Sequence, residues 1–267
     1  MPVNISFDAA SYDTDKSPAY IARYLRAFAS LRDQPVRLLE LGVKSGGSLL
    51  MWADFFPNGE VVGLDLNPVS VHHARVHVHR GYQQDVRVLD QIGRKHAPHG
   101  FDIIIDDASH LGEYTAASFS ALYSHHLVPG GIYVLEDWGT GYWPTWPDGK
   151  AISERPRTQR PARFDASRRV VRKASRPAAQ KLRSFPQLYA RLERLYSATE
   201  SQLAVVDFPS HSAGMVGFVK QLVDHTTITD SPPNEGAAPP DIAEMWIADG
   251  QVFCFKPAQT QSASADS

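Results

Sequence analysis

Residues 36–47, VRLLELGVKSGG, decide the fold. Val36–Leu41 is a short apolar run of the length that strands have, and Glu40 near its end is followed by a glycine turn. The turn closes at Gly46-Gly47, and an apolar helical segment begins directly behind it. A strand, a glycine-rich turn and a helix in this order are typical of a nucleotide-binding α/β unit. We therefore expect a ligand site beyond the carboxyl end of this strand.

The chain repeats this alternation of strand and helix through residue 136. Its clearest later strand, Phe101–Asp106, is rich in isoleucine, as parallel strands are when helices cover both faces. The rhythm predicts a doubly wound parallel sheet, and Asp249-Gly250 between two apolar runs predicts a closing hairpin. The other predicted strands are Val61–Leu66, Arg75–His79, Ile132–Glu136, Ile242–Trp246 and Gln251–Phe255, and the predicted helices are Val86–His96, Glu113–Leu127, Phe185–Leu203 and Met215–Val223.

Pattern and composition divide the chain into segments. Residues 1–35 are interpreted as an N-terminal helical lead-in that ends at Pro35. Residues 36–257 are the main domain, and a Pro- and Arg-rich stretch at about 150–185 within it is expected to be a mobile insertion. Residues 258–267 are a polar tail that we expect to be disordered.

Composition limits the class of protein. The 267 residues are 43% hydrophobic and 21% charged, which supports a sizeable core and excludes global disorder. The longest apolar runs are far shorter than the ~20 residues that span a bilayer, and the N-terminus has no apolar signal region. We therefore expect a cytoplasmic protein without a membrane span. The single Cys254 excludes an internal disulfide and a multi-cysteine zinc site.

The formal charge of -2 is unevenly distributed. Residues 154–183 hold eleven Lys and Arg against two acids, a net of +9, so the rest of the chain carries -11. A basic arm that binds nucleic acid is one interpretation. However, the remainder is acidic, and aromatic and basic residues do not interleave as in RNA-binding surfaces. We expect a solvated insertion and no nucleic-acid partner.

Acids lie at the carboxyl ends of four of the predicted strands, at the edge where open α/β sheets bind ligands. Glu40 precedes the glycine turn, where it would repel a pyrophosphate but attract a ligand with an ammonium and a sulfonium, such as S-adenosylmethionine (SAM). Asp65, at the next strand end, is placed to accept ribose hydroxyls. The alternative is a simple tight turn in which Glu40 caps a helix. Six carboxylates repel one another and require cations. They are Glu40, Asp65, Asp106, Asp107, Glu136 and Asp137.

The acids of the two later strands are of a kind that binds a hard cation. Neighbouring strand residues point to opposite faces, so one of Asp106 and Asp107 is expected to face cofactor and the other substrate. Asp107, Glu136 and Asp137 would form an all-oxygen cluster, which suits Mg²⁺. The alternative is that one acid pair caps the following helix.

His110 follows Asp107 by three residues and is the candidate general base, placed to take a proton from a hydroxyl at the metal. A metal-dependent hydroxylase is an alternative, but such iron sites need two histidines and a carboxylate, and only His110 is placed for one. Four further histidines lie together without an acid or cysteine to complete a zinc site, and we interpret them as solvated or at the edge of the core. They are His72, His73, His77 and His79.

Aromatic residues crowd the stretch after the last acidic strand end. Trp138, Tyr142, Trp143 and Trp146 follow one another closely there. They are either a sugar-stacking platform beside the site or packing that holds a lid against the domain.

Four motifs together resemble a known family. ELGVKSGG, DDASH, PGGIYVLEDW and YDTDK resemble class I SAM-dependent, Mg²⁺-dependent sugar O-methyltransferases, including macrolide-sugar enzymes and actinobacterial or mycobacterial methylmannose-polysaccharide enzymes. The resemblance covers about residues 1–147 and, loosely, 205–257. It implies a Rossmann-like, mostly parallel seven-stranded sheet with a C-terminal antiparallel hairpin and N-terminal helices, and a homodimer.

The resemblance also implies roles for residues. His110 would be the catalytic base. The first turn departs from the family's usual ExGxGxG spacing, so its contacts with the methionine end of SAM do not follow from the family pattern. The basic segment is not part of the family pattern. The implied cofactor residues are Glu40, Gly42, Ser48, Asp65, Gln84, Asp85 and Asp106, the metal ligands are Asp107, Glu136 and Asp137, and the substrate residues are Tyr12, Asp15, Lys16, Tyr142 and Trp143, with Thr14 beside them.

The implied function is transfer of the SAM methyl group to a sugar hydroxyl with Mg²⁺ and a histidine base. The acceptor expected from the resemblance is a mannoside of an actinobacterial methylated polysaccharide, as a sugar or oligosaccharide. The alternative acceptor is the sugar of a macrolide-type natural product. A catalytically silent SAM-binding partner protein is a further alternative, which the presence of the acids and His110 disfavours.

Overall fold

The computed structural model describes residues 8–153, 214–226 and 242–258. Up to residue 152 and from residue 214 onward, these belong to one compact unit. Three predicted segments lie outside the described residues, namely the insertion beyond residue 153, the helix at 185–203 and the tail from residue 259. The domain boundaries expected at residues 35 and 257 stay predictions.

Among the described residues, seven strands form one sheet. They are β1 (Arg37–Leu41), β2 (Glu60–Asp65), β3 (Val76–Arg80), β4 (Phe101–Asp106), β5 (Leu127–Glu136), β6 (Glu244–Ile247) and β7 (Gln251–Phe255). Their order is β3-β2-β1-β4-β5-β7-β6, in which β1 to β5 are parallel and β7 is antiparallel to both neighbours. The predicted Rossmann-like sheet with its closing hairpin is confirmed.

In the described ranges, one helix precedes the first strand and the other helices lie between strands in sequence. They are α1 (Pro18–Phe28), α2 (Gly47–Phe55), α3 (Val86–His96), α4 (Gly112–His125), α5 (Pro147–Ser153) and α6 (Gly214–His225). Short 3₁₀ turns are present at Ala9–Ser11, Ala29–Leu31 and Trp138–Tyr142. None of these described helices has both the length and the apolar character that a membrane span requires.

Helices cover both faces of the sheet, which is why its central strands are apolar throughout. Leu39 and Ile104 belong to a core cluster with residues of α3, α4 and α6. Leu38 and Ile103, one residue earlier in the same strands, belong to a second cluster with residues of α1 and α2. The alternation of strand side chains therefore divides the core into two layers.

The helix of the N-terminal lead-in is fixed in the second of these clusters. Ser17 caps α1, and Pro18 occupies its first position. The buried Tyr24 and Phe28 rings lie 5.0 and 5.8 Å from Trp52. Burying one such ring contributes about 1.5–3 kcal/mol. The residues just before α1 are thereby held close to the sheet.

The fifth strand begins earlier than its sequence predicts. Phe101 pairs with Leu127 and Ile103 pairs with Ile132, so residues 128–131 oppose a single residue of β4. The strand predicted at Ile132–Glu136 therefore starts too late, because Pro129-Gly130-Gly131 is an irregularity inside β5. A proline without an N–H and Gly130 at φ +79° are suited to such a bulge.

Candidate active site

A cavity of about 540 Å³ lies at the carboxyl ends of the parallel strands, within the range of small-molecule sites. The turns after β1, β2, β4 and β5 form its walls, and residues 13–17 cover one side together with Tyr20. It lies at the sheet edge that the sequence predicts. The predicted site residues that line it are Asp15, Lys16, Gly42, Ser48, Asp65, Asp107, His110, Glu136 and Asp137.

The glycine turn after β1 is shaped by two close contacts. Gly42 has φ +79°, and a Cβ there would lie 2.2 Å from the backbone oxygen of Asp107, so only glycine lets the β1 and β4 turns approach. Asp65 Oδ2 accepts hydrogen bonds from the N–H groups of Val43 and Lys44 at 2.9 and 3.0 Å. Asp65 thus holds the turn and also faces the cavity.

The YDTDK motif crosses the same glycine turn. A Cβ on Gly47 would lie 2.0 Å from the Asp13 carbonyl oxygen, and Asp15 pairs with Lys44 at 3.2 Å on the surface. Tyr12 donates to Asp54 Oδ2 at 2.6 Å, and burial together with that carboxylate raises its pKa to about 12. Tyr12 therefore anchors the motif to α2, away from the cavity lining where the sequence analysis expected it.

Lys16 lies at the centre of the acidic strand ends. Its Nζ is 2.7 Å from Glu136 Oε1, 2.8 Å from Asp107 Oδ2 and 3.1 Å from Glu40 Oε1. Only 2% of its side chain is exposed. The cation that the clustered acids require is therefore supplied in part by the chain itself. Lys16 also lines the cavity, and its contact with substrate stays a prediction.

Glu40 does not face the cavity as expected for a residue that binds the SAM ammonium. It is fully buried, its Oε2 accepts from Ser48 Oγ at 2.7 Å, and the Lys16 ammonium lies beside its Oε1. An ammonium is indeed attracted to Glu40, but it is that of Lys16. Ser48, at the start of α2, lines the cavity itself.

Burial and mutual repulsion shift the pKa values in this cluster. Burial raises the pKa of Asp107 well above its usual value, and Glu136 adds to the effect. Burial also raises the pKa of Glu40. Burial alone would lower the pKa of Lys16, but the carboxylates of Glu136, Glu40 and Asp107 raise it well above its usual value. The lysine is therefore charged and offsets part of the acid repulsion.

Two tyrosines of α1 donate to the consecutive acids after β5. Tyr20 OH donates to Asp137 Oδ1 at 2.7 Å, and Tyr24 OH donates to Glu136 Oε1. Asp137 has φ +52°, a left-handed conformation that turns the chain sharply after the strand. Neither tyrosine is among the site residues expected from the sequence. The signal that could have indicated them is the interval of four residues from Lys16 to Tyr20 and from Tyr20 to Tyr24.

His110 is held in place by its own backbone. It has φ +52°, and its carbonyl oxygen accepts hydrogen bonds from Thr140 Oγ1 and Trp146 Nε1, both at 3.2 Å. Its Nε2 lies 3.9 Å from Asp107 Oδ1 and 3.8 Å from Asp137 Oδ2. Burial lowers its pKa, so the imidazole is neutral at neutral pH.

Asp106 points away from the cavity, although the sequence analysis assigned it to the cofactor. Its carboxylate accepts from Ser118 Oγ at 2.5 Å, Tyr133 OH at 3.1 Å and Gln83 Nε2 at 3.1 Å, and burial raises its pKa to about 6. Gln83 Oε1 also accepts from the Ser109 N–H at 2.8 Å. Asp106 and Gln83 therefore stabilise the turn after β4 from the side that faces away from the cavity.

Two other expected cofactor residues lie outside the described cavity lining. Asp85 caps α3 by accepting from the N–H groups of Arg87 and Val88, and it is Gln83 rather than Gln84 that is buried in this stretch. Nothing in the sequence indicates which of the two adjacent glutamines points inward.

The aromatic stretch meets the site through a residue other than those expected. Tyr142 and Trp143 are 39% and 52% exposed and are not part of the described cavity lining. Trp146 instead contacts His110, with ring centroids 5.9 Å apart. Trp138 packs against the core and donates to the Ala248 carbonyl oxygen at 2.9 Å, so part of this stretch has a packing role. The substrate roles of Tyr142 and Trp143 stay predictions.

The histidines at the edge strand β3 take polar partners. His77 Nε2 lies 2.8 Å from Glu60 Oε2, and His79 Nε2 lies 2.7 Å from His96 Nε2. Burial lowers the pKa of His79 and lowers that of His96 to about 4. Among the described residues, a different group of acids and a histidine could hold a metal ion. It consists of Asp107, His110 and Asp137, whose ligand atoms lie within 4.8 Å of one another.

Known proteins resemble this chain over about half of its length. Mycinamicin VI 2''-O-methyltransferase of Micromonospora griseorubida is 44% identical over 133 residues, 47% of this chain and 33% of the relative. Demethylmacrocin O-methyltransferase of Streptomyces fradiae is 40% identical over 133 residues, with the same coverage. L-olivosyl-oleandolide 3-O-methyltransferase of Streptomyces antibioticus is 37% identical over 147 residues, 51% of this chain and 37% of the relative. The match spans about a third of the length of these relatives. No protein-family model matches the chain.

A solved structure agrees over nearly the whole chain. The MycE methyltransferase of the mycinamycin pathway, solved in complex with Mg and S-adenosylhomocysteine (SAH), superposes with a TM-score of 0.66 at 28% identity. The superposition covers 94% of this chain and 53% of that one. In sequence and fold the chain is thus similar to O-methyltransferases named for mycinamicin, demethylmacrocin and L-olivosyl-oleandolide.

Proposed function

We propose that this homologue of sugar O-methyltransferases transfers the methyl group of SAM to a sugar hydroxyl with the help of a divalent cation. The observation that carries the proposal is the composition of one cavity. Gly42 and Asp65, from the first two strand ends, line it together with Asp107, His110 and Asp137, from the fourth and fifth. Donor-binding and acid–base residues therefore face the same space.

The residues at the fourth and fifth strand ends fit a hard divalent cation. Asp107, Glu136 and Asp137 would hold it, since carboxylate oxygens are the ligands that Mg²⁺ prefers. Asp107 and Asp137 belong, together with His110, to a group whose ligand atoms lie within 4.8 Å of one another, which supports two of these three ligands. When bound, such a cation lowers the pKa of an alcohol and fixes its orientation.

The turns after β1 and β2 fit the methyl donor. Asp65 offers a carboxylate to the ribose hydroxyls, and Gly42 and Ser48 line the wall beside it. When bound, SAM supplies an activated methyl group on its sulfonium. The buried Glu40 and Asp106 are expected to act indirectly, through Ser48 and Gln83, and Gln84 and Asp85 stay proposals without a contact to the cavity.

His110 is the proposed base. Its imidazole is neutral because burial lowers its pKa, so Nε2 is able to accept a proton. Its part in the reaction is to take the proton that the acceptor hydroxyl loses as the new C–O bond forms. General base catalysis of this kind contributes about 10²–10⁴-fold, and orientation of the two substrates contributes the larger share.

The acceptor that the comparisons favour is the sugar of a macrolide-type natural product. The relatives act, by their names, on mycinamicin, macrocin and oleandolide glycosides. The mannoside of a polysaccharide that the sequence analysis expected first is therefore less well supported than its alternative. Asp15, on the exposed rim of the cavity, is a proposed substrate contact. Lys16, which also lines the cavity, and the exposed Tyr142 and Trp143 stay proposals.

The test is release of SAH from SAM by EDTA-treated protein, with and without added Mg²⁺. Macrolide glycosides, rhamnosyl polyketides and mannosides serve as acceptors. We expect Mg²⁺-dependent release with a deoxysugar glycoside, and His110→Ala is expected to retain SAM binding while losing about 10²–10⁴-fold in turnover. Unchanged turnover in His110→Ala, or equal turnover with EDTA, would contradict the mechanism.

A further inference from the structure

Three side chains spaced four residues apart reach the acidic strand ends from one direction. They are Lys16, Tyr20 and Tyr24, of which the last two lie on α1 and the first lies just before its cap. Residues four apart share one face of a helix, which places Tyr20 and Tyr24 together on α1. Lys16, just before the cap, reaches the same acids from the N-terminal end of that face. This face, which we name the 16/20/24 face, packs behind the acids that are proposed to bind the cation.

Each of those acids gives one oxygen to the 16/20/24 face. Lys16 Nζ lies 2.8 Å from Asp107 Oδ2 and 2.7 Å from Glu136 Oε1, which also accepts from Tyr24 OH. Tyr20 OH donates to Asp137 Oδ1 at 2.7 Å. One carboxylate oxygen of each of the three acids therefore accepts a hydrogen bond from Lys16, Tyr20 or Tyr24.

The opposite oxygens of the two aspartates face the catalytic side. Asp107 Oδ1 lies 3.9 Å and Asp137 Oδ2 lies 3.8 Å from His110 Nε2. The terminal torsion of an aspartate is broad, so a carboxylate without a partner turns freely. Holding one oxygen therefore fixes where the other oxygen points.

We propose that the 16/20/24 face positions the cation-binding carboxylates, so that Asp107 Oδ1 and Asp137 Oδ2 are presented together toward His110. This rests on the proposed function, because it assumes that the acids bind a divalent cation. Partners behind the ligands of a metal commonly change its affinity about 10–100-fold. Lys16, Tyr20 and Tyr24 are thus positioning residues that act through the acids.

The closing hairpin supports Tyr20 from the other side. A Cβ on Gly250 would lie 1.5 Å from Tyr20 OH, and Gly250 itself has φ +71°. The Gly250 carbonyl oxygen also accepts from the Asp137 N–H at 2.6 Å. The hairpin turn therefore packs against both members of the Tyr20–Asp137 hydrogen bond and limits their movement.

The experiment measures Mn²⁺ binding to the EDTA-treated full chain by electron paramagnetic resonance. The variants are Tyr20→Phe and Tyr24→Phe, each of which removes one hydroxyl donor. Tyr12→Phe is the matched control, because Tyr12 donates to Asp54 at 2.6 Å in a similar tyrosine–carboxylate pair outside the cavity lining. Thermal unfolding of all four proteins is recorded in parallel.

We expect Tyr20→Phe and Tyr24→Phe to weaken Mn²⁺ binding about 10-fold or more, with binding by Tyr12→Phe close to wild type. In turnover, the KM for Mg²⁺ should rise while kcat at saturating Mg²⁺ falls much less. Wild-type Mn²⁺ affinity in both site variants overturns the proposal, as does an equal loss in Tyr12→Phe. Absence of Mn²⁺ binding in the wild type instead contradicts the metal-assisted function itself.

Discussion

Lys16 shows how much one residue contributes to this site. Three described carboxylates converge on its Nζ within 3.1 Å, from strands that lie side by side. Without the ammonium, those acids would be buried next to one another with no opposite charge in contact. Removing one partner of a buried ion pair is costly because the remaining charge stays desolvated.

We expect Lys16→Met to lower the free energy of unfolding by about 3–5 kcal/mol in EDTA-treated protein. Urea unfolding followed by circular dichroism measures this. Lys44→Met is the matched control, since Lys44 pairs with Asp15 on the surface with 78% and 72% of the side chains exposed, and such pairs contribute about 0–1 kcal/mol. If Lys16→Met lowers the free energy of unfolding no more than Lys44→Met does, the buried acids do not need the Lys16 ammonium.

At the scale of elements, one carboxylate joins the starts of two helices near His110. Asp148 Oδ2, in α5, accepts from the N–H of Gly112 at the start of α4 and from the N–H of Met215 at the start of α6, both at 2.8 Å. A Cβ on Gly112 would lie 2.1 Å from the Gly214 backbone, so the two helix ends are in contact. The negative charge also suits two positive helix termini.

Asp148→Ala is expected to destabilise the protein by about 1–3 kcal/mol, because two backbone donors lose their acceptor. Asp148→Asn keeps an acceptor oxygen and should cost clearly less. Turnover should fall with Asp148→Ala while SAM binding is retained, since α4 begins two residues after His110. Chemical unfolding and SAH release measure the two effects, and equal stability of both variants would argue against the capping role.

At the scale of the whole molecule, the sheet gathers acids from distant parts of the chain. β4 and β5 follow β1 by many residues, yet the order β1-β4-β5 places their carboxyl ends side by side. The lead-in helix and the hairpin then enclose these ends through Tyr20 and Gly250. Binding of a cation should therefore stabilise the entire unit.

We expect saturating Mg²⁺ to raise the Tm of EDTA-treated protein. At a concentration of about 100 times Kd, linkage gives about 2.7 kcal/mol, which corresponds to roughly 5–10 °C for a domain of this size. NaCl at equal ionic strength and Asp107→Asn protein are the controls, and neither should show the rise. A similar rise with NaCl would mean general screening of the acidic surface rather than binding.

The sequence by itself determined the fold class and the edge of the sheet where the site lies. Apolar strands, the turn at Gly42 and acids at successive strand ends are local patterns, and local patterns suffice because parallel strands bring their carboxyl ends to one edge. Alternation along a strand also predicted that Asp106 and Asp107 point to opposite faces, and they do.

Only the tertiary structure decided which cation meets which acid and which neighbour points inward. Lys16 lies 91 and 120 residues from the acids that it contacts, and no spacing rule relates such distant positions. Gln83 and Gln84 are identical neighbours in the connection from β3 to α3. The path of the backbone in this connection therefore decides that Gln83 is the buried one. Glu40 and Asp106 are buried and bond to Ser48 and Ser118 instead of facing the cavity. The packing of helices on the sheet decides this, and the order of residues along the chain does not show it.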